Sequence, residues 1–295
     1  ALAVAPWYAA LGLLAILAWY ALPGCWFAAR VYGADAGRRP AIAWLVGPLW
    51  GYAFSNLALL ALWIAGLRHP LAILAAPAAA AAVLRALAPR RPVLAAPALT
   101  RQDVAAALLV VALVPAMVGL PYAHVGEALP EGRAYRAYFT ADFIWSRTVV
   151  VELAKGDQPP RNMFLRGDPL NYYWLPHLLS ANEYRASRSR LDADTILLVN
   201  GLGLGVLFAA FLYGFVRHFA TGPVAAALGC AFALAFVSVE ASWFLWREWR
   251  AGRPLEIVLG MNVDGITRWI LGSVLVDGLQ RMLLYQPTHH AVTYA

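Results

Sequence analysis

The sequence predicts an all-α fold: a polytopic helical membrane bundle with amphipathic surface helices in its outer loops. Three observations carry that expectation. Of 295 residues, 62% are hydrophobic and only 13% are charged, whereas soluble domains carry about 25% charged residues. The apolar residues come in runs close to the roughly 20 residues that a spanning helix needs. The basic residues gather in alternate connections between those runs, the pattern that orients membrane proteins. No soluble core could hide this much apolar surface, so lipid is the expected solvent for most of the chain. The net charge of +7 then belongs to membrane-flanking loops, and no nucleic-acid partner is expected.

The runs follow in order. Residues 1–29 carry no charge, and Pro23-Gly24 should bend or end that helix. Residues 40–67 form the second run and residues 70–84 a short, Ala-rich third. Residues 104–123, 195–216 and 219–239 supply the fourth, fifth and sixth, and a seventh opens at 291. The first run is long and leads into further spans, so no cleavable signal peptide is read. The chain starts without Met and stops at Ala295 within an opening apolar run, which suggests a fragment. Cys25 and Cys230 lie in apolar runs and read as small core residues.

Loop charges set the orientation. The first connection holds Arg30, Arg38 and Arg39, and the third holds Arg85, Arg90, Arg91 and Arg101. The second has only Arg68. The first and third are therefore cytoplasmic, Arg217 falls on a short inner turn, and residues 124–194 lie on the outer face of what reads as a bacterial inner (cell) membrane. A second outer loop runs from Glu240 to His290. The Ala-Pro-rich stretch 86–100 reads as a linker. It divides N-terminal transmembrane helices of unknown role, 1–95, from a second module, 96–295. Nothing in 1–95 reads as chemistry, and Ser55 and Asn56 suit interhelical hydrogen bonding.

The long outer loop holds most of the information. Thr140 can cap a helix starting at Ala141, and Gly156 suits the position just past its end. On a helical wheel Arg147, Glu152 and Lys155 share one side, and Trp145, Val149, Val150 and Leu153 another, as in a helix lying at a membrane surface. Asp142 falls among the apolar residues. It reads either as a first-turn acid favoured by the macrodipole or as a carboxylate held at the lipid–water boundary for a purpose.

From Asp142 to Leu175 the chain shows Asp142, Arg147, Glu152-Leu153, Gly156-Asp157, Gly167-Asp168-Pro169-Leu170 and Tyr172-Tyr173-Trp174-Leu175. This order resembles the first outer loop of the GT-C superfamily of membrane glycosyltransferases, particularly the dolichyl-phosphate-mannose mannosyltransferase and aminoarabinose transferase type. The chain departs from that pattern in having Phe143 beside the acid where a second carboxylate is common. It also has a longer stretch before Asp142, and three helices ahead of the module. The resemblance implies transfer of a sugar from a polyprenyl phosphate to an outer-face acceptor. It assigns Asp142 as general base or acceptor-positioning group. A leaving phosphate needs cations, for which Arg147, Arg161 and Arg166 are candidates. A solvated loop or a lipid-headgroup contact explains those arginines equally.

Tyr172, Tyr173 and Trp174 fit an interfacial aromatic belt, or could stack on a sugar or line a polyprenyl groove. His177 could bond the donor phosphate or be structural. His289-His290, at the end of the second outer loop, could meet metal or phosphate. Asp264 and Asp277 share that loop as second acids or as solvated faces. No cofactor is singled out, and a divalent metal ion stays open. Gly201-Leu202-Gly203-Leu204-Gly205 lies in an apolar run and reads as a close-packing surface, while Asp192-Ala193-Asp194 reads as an N-cap. The alternatives to an enzyme are a transporter or flippase of lipid-linked glycans and a non-catalytic subunit of a membrane complex.

Overall fold

The structure is a computed structural model that describes residues 7–33, 40–136, 139–165, 167–235 and 239–254, with Leu279 and Leu283. The first six residues, Arg38, Arg39, Arg166, Asp264, Asp277, His289, His290 and the run at 291 lie outside the described residues. Four helices are long and apolar enough to cross a membrane: α1 (Trp7–Val31), α2 (Ala43–Ile64), α4 (Arg101–Ala123) and α7 (Ala193–Val216). Two shorter apolar helices, α3 (Ala72–Leu87) and α8 (Pro223–Ala235), complete the six expected segments. The chain is an all-α bundle, with α5 (Thr140–Ala154), α6 (Leu178–Ala186) and α9 (Val239–Arg250) between and after the long helices.

α1 does not end at Pro23-Gly24 but continues to Val31. A proline in a helix costs a hydrogen bond, and here the small residues beside it serve a contact. A Cβ on Gly24 would land on Gly47 O and the Gly51 backbone, and one on Gly51 would land on Ala21 O. α1 and α2 thus meet backbone to backbone, the arrangement small residues permit between spanning helices. The glycines of α7 work the same way: added side chains at Gly203 and Gly205 would strike Leu17 of α1 and Val114 of α4. Ser55 donates to Tyr20 O across α1 and α2 (3.0 Å), as expected, whereas Asn56 donates within its own helix to Tyr52 O (2.9 Å).

Contacts sort the connections into two ends. At one, the linker after α3 is tied to the end of α1 by Val93 and Leu94 N–H groups donating to Val31 O (2.9 and 3.1 Å). There too Asp103, in the first turn of α4, pairs with Arg217 at the end of α7 (2.6 Å) and accepts from Tyr213 (2.8 Å). Thr100 and Asp103 form a reciprocal cap on α4. At the other end, Arg68, just past α2, donates to Gly156 O (3.0 Å), and Arg185 donates to Arg68 O (2.5 Å). This is the alternation that the loop charges imply.

Between α4 and α5 the chain makes a small antiparallel hairpin, β1 (Val125–Leu129) with β2 (Gly132–Tyr135), carrying an irregularity between Val125 and Glu127. Sequence reading treats this stretch as plain loop; its strands are short, and Gly126 interrupts any alternation. α9 is strongly two-sided. Trp243, Trp246 and Trp249 are exposed, Arg247 lies over Trp243 and Phe244 (5.2 and 4.6 Å), and Glu248 is paired by Arg247 and Arg253 (2.8 Å each). Tryptophans with overlying arginines suit the water boundary of a bilayer.

Candidate active site

α5 positions the site. It starts at Thr140 with Phe139 at the N-cap and no side-chain cap, one residue earlier than expected and without the Thr140 cap. Phe139 is instead buried against Tyr122 and Phe143 (ring centroids 5.8 and 6.2 Å), so packing fixes the helix start. Gly156 closes the helix as expected, with φ +84° and its N–H on Leu153 O (3.0 Å). A side chain at Gly156 would meet the Arg185 guanidinium. Val149, Val150 and Leu153 are fully buried with Leu170, Ala181 and Ala193. α5 therefore packs on protein, and Glu152, which the wheel groups with the exposed charges, is buried beside Lys155.

Asp142 sits in the first turn of α5, half-buried, and makes no hydrogen bond or ion pair among the described residues. One turn on, Trp145 anchors an aromatic group: it stacks on Phe164 (5.3 Å) and meets Tyr172 edge-on (5.2 Å), and Tyr172 stacks on Tyr173 (4.0 Å). Tyr173 is 55% exposed, while Trp174 is partly buried against the core. His177, in the single turn of 3-10 helix that leads into α6, is buried.

Arg147 pairs through Nε with Asp194 Oδ1 (3.1 Å), and its side chain remains 40% exposed. Asp194 is fully buried and also takes Arg133 Nη1 (3.1 Å) and the Tyr135 hydroxyl (2.7 Å). Burial, then the hydrogen bond to Asp194, pushes the Tyr135 hydroxyl up to about 12. Asp192 caps α7, its Oδ1 accepting from Asp194 N (3.5 Å), and also pairs with Arg133. The capping reading of the Asp192-Ala193-Asp194 stretch therefore covers one of its two acids. The other is an ionic hub joining the hairpin, α5 and α7. Two acids spanning the start of an apolar run, in a loop containing Arg133 and Arg147, were the signal for it.

Arg161 stands apart, paired with Asp157 (3.1 Å). It lines a polar cleft of about 440 Å³ with Gln158, Gly167 and Asp168. A second, apolar cleft of about 550 Å³ runs between α4 and α8. Asp142 lines neither. The structure thus brings Asp142, Trp145, Tyr172 and Tyr173 to one part of the loop, joins Arg147 to Asp194, and leaves Arg161 in a separate cleft. Among the described residues no three His, Cys, Asp or Glu side chains gather to hold a metal ion.

Comparison with known proteins adds no relative: no family model matches the chain, and neither a curated protein nor a solved structure does.

Proposed function

We propose that the chain is a membrane glycosyltransferase of the GT-C type, moving a sugar from a polyprenyl-phosphate donor to an acceptor hydroxyl on the outer face of a bacterial cell membrane. The observation that carries this reading is Asp142, a half-buried carboxylate without a partner among the described residues, one turn from an aromatic cluster with an exposed tyrosine face. As base, Asp142 takes the acceptor proton while the acceptor oxygen bonds to the anomeric carbon. The bond from that carbon to the phosphate oxygen breaks, and its electron pair leaves on the polyprenyl phosphate. Arg147 keeps a partly exposed side chain for that phosphate while Asp194 holds it in place. Tyr172 and Tyr173 offer ring faces to a sugar or to the polyprenyl chain.

A second reading, a transporter or flippase of lipid-linked glycans, is favoured by one observation: Glu183 is a carboxyl buried among helices, and such groups mark ion and substrate paths in membranes. One experiment separates the two. A strain lacking the gene is complemented with Asp142→Asn, and the surface glycan is read beside the membrane level of the protein. Transfer predicts that the glycan disappears at unchanged protein level. A normal glycan removes Asp142 from the chemistry and leaves transport.

A further inference from the structure

The apolar cleft between α4 and α8 lies at the linker end of the bundle, beyond the far end of α4 from Asp142. All of its lining comes from those two helices, from Gln102 to Leu113 on one and from Pro223 to Ala231 on the other. Its 550 Å³ falls within the roughly 300–1,000 Å³ of ordinary ligand pockets. Buried Ala106 and Val110 lie at its base, and Ala105, Ala227 and Ala231 leave room where larger side chains would close it. Leu109, Val224 and Leu228 stand exposed beside that room. α4 is long and apolar enough to cross a membrane, so the groove opens on lipid.

The depth of the groove is informative. Gln102 is the polar residue of its lining, and it sits in the first turn of α4. From Gln102 to Leu113 the helix rises about 16 Å at 1.5 Å per residue. The hydrocarbon core of a bilayer is about 30 Å thick. The groove is thus polar at the helix end, apolar from there inward, and about as deep as one leaflet. That is the profile of a lipid: a headgroup at the boundary and a hydrocarbon chain running to the midplane.

Charge at the mouth of the groove says which lipid. Arg101, Ala105 and Leu109 recur every four residues, so they lie along one face of α4, with Arg101 at its head. Arg101 is exposed, and its guanidinium has no hydrogen bond or ion pair among the described residues. The acid in its own turn, Asp103, is already engaged by Arg217, Tyr213 and Thr100. Arg90 and Arg91 of the linker are exposed too, and no ion pair reaches them among the described residues. Arginines beside a bilayer surface attract anionic lipid, and a guanidinium matches a phosphate. We propose that the groove binds an anionic phospholipid of the leaflet at the linker end. One acyl chain lies between α4 and α8, its phosphate meets Arg101, and the Gln102 amide donates to the headgroup. A donor whose phosphate must reach Asp142 does not compete for that position.

The test uses the full chain purified in detergent, titrated with phosphatidylglycerol or phosphatidylcholine of identical acyl chains and weighed intact by mass spectrometry. The chain should retain one phosphatidylglycerol in preference to phosphatidylcholine. Arg101→Gln should weaken that retention by roughly fivefold, the worth of one arginine near an anionic surface, and leave phosphatidylcholine unchanged. Ala105→Trp, which fills the groove from an exposed position, should remove the retained lipid with Arg101 still in place. Should Ala105→Trp fail to fold, Arg101→Gln decides, and Arg101→Lys should restore part of the preference. Equal retention of the two lipids by the unaltered chain overturns the proposal. So does an unchanged preference in Arg101→Gln, or lipid still held by folded Ala105→Trp. A chain that weighs as a dimer without lipid gives the groove to a second copy and overturns it as well.

Discussion

The two ends of the bundle treat their carboxylates in opposite ways. At the linker end, Asp103 is buried and fully engaged by Arg217, Tyr213 and Thr100. At the hairpin end, Asp194 pairs with Arg133 and Arg147 and accepts from Tyr135, yet Asp142, in the first turn of α5, has no hydrogen bond or ion pair among the described residues, and Glu183 is met by Asn200 at one oxygen only. A carboxylate whose bonds are all made locks helices together. One left with open valence can take a proton, a cation or a substrate hydroxyl. Among the described residues, Asp103 is of the first kind, and Asp142 and Glu183 are of the second.

That contrast can be broken in graded steps. Asp103→Ala strands Arg217, which is only 15% exposed at its side chain, and breaking a buried pair costs about 3–5 kcal/mol. Chemical unfolding in detergent should show that loss. Asp194→Asn keeps the shape but removes the charge shared by two arginines, and should cost about 1.5–3 kcal/mol, the worth of hydrogen bonds to a charged group. The same assay run against pH sharpens the picture at Glu183. Its folded pKa, about 8, lies above the ordinary 4.5. Its contribution is thus complete below about 4.5 and is lost as pH rises through 8. Glu183→Gln should flatten that slope. Arg161→Ala, which removes an exposed pair with Asp157, should change stability by less than about 1 kcal/mol.

Much of the bundle was legible because apolar run length and loop charge are local properties. The six segments stand where the runs are, although α1 passes through Pro23-Gly24. The sequence shows a breaker there but not the α2 backbone that Gly24 must accommodate. The hairpin was missed because its strands pair across only a two-residue turn, with Gly126 disrupting the period. In the candidate site, Asp142 and the tyrosine pair were legible as types in order. The Arg147–Asp194 pair and the Glu183–Asn200 contact were not. Each is assembled from segments apart in the chain, and no periodicity records that Arg147 and Asp194, or Glu183 and Asn200, meet. Arg166, His289 and His290 fall outside the described residues.

The most direct measurement pairs stability with transfer in one variant. Purified Asp142→Asn is compared with the unaltered chain for unfolding and for release of labelled sugar from a polyprenyl phosphate to an acceptor. An acid in the first turn is worth only about 0.3–1 kcal/mol to its helix, so unfolding should scarcely move. Loss of a general base should slow transfer about 10²–10⁴-fold. Transfer at the unaltered rate, or a stability loss as large as that of Asp103→Ala, would contradict the account, because Asp142 would then be one more residue that holds the fold.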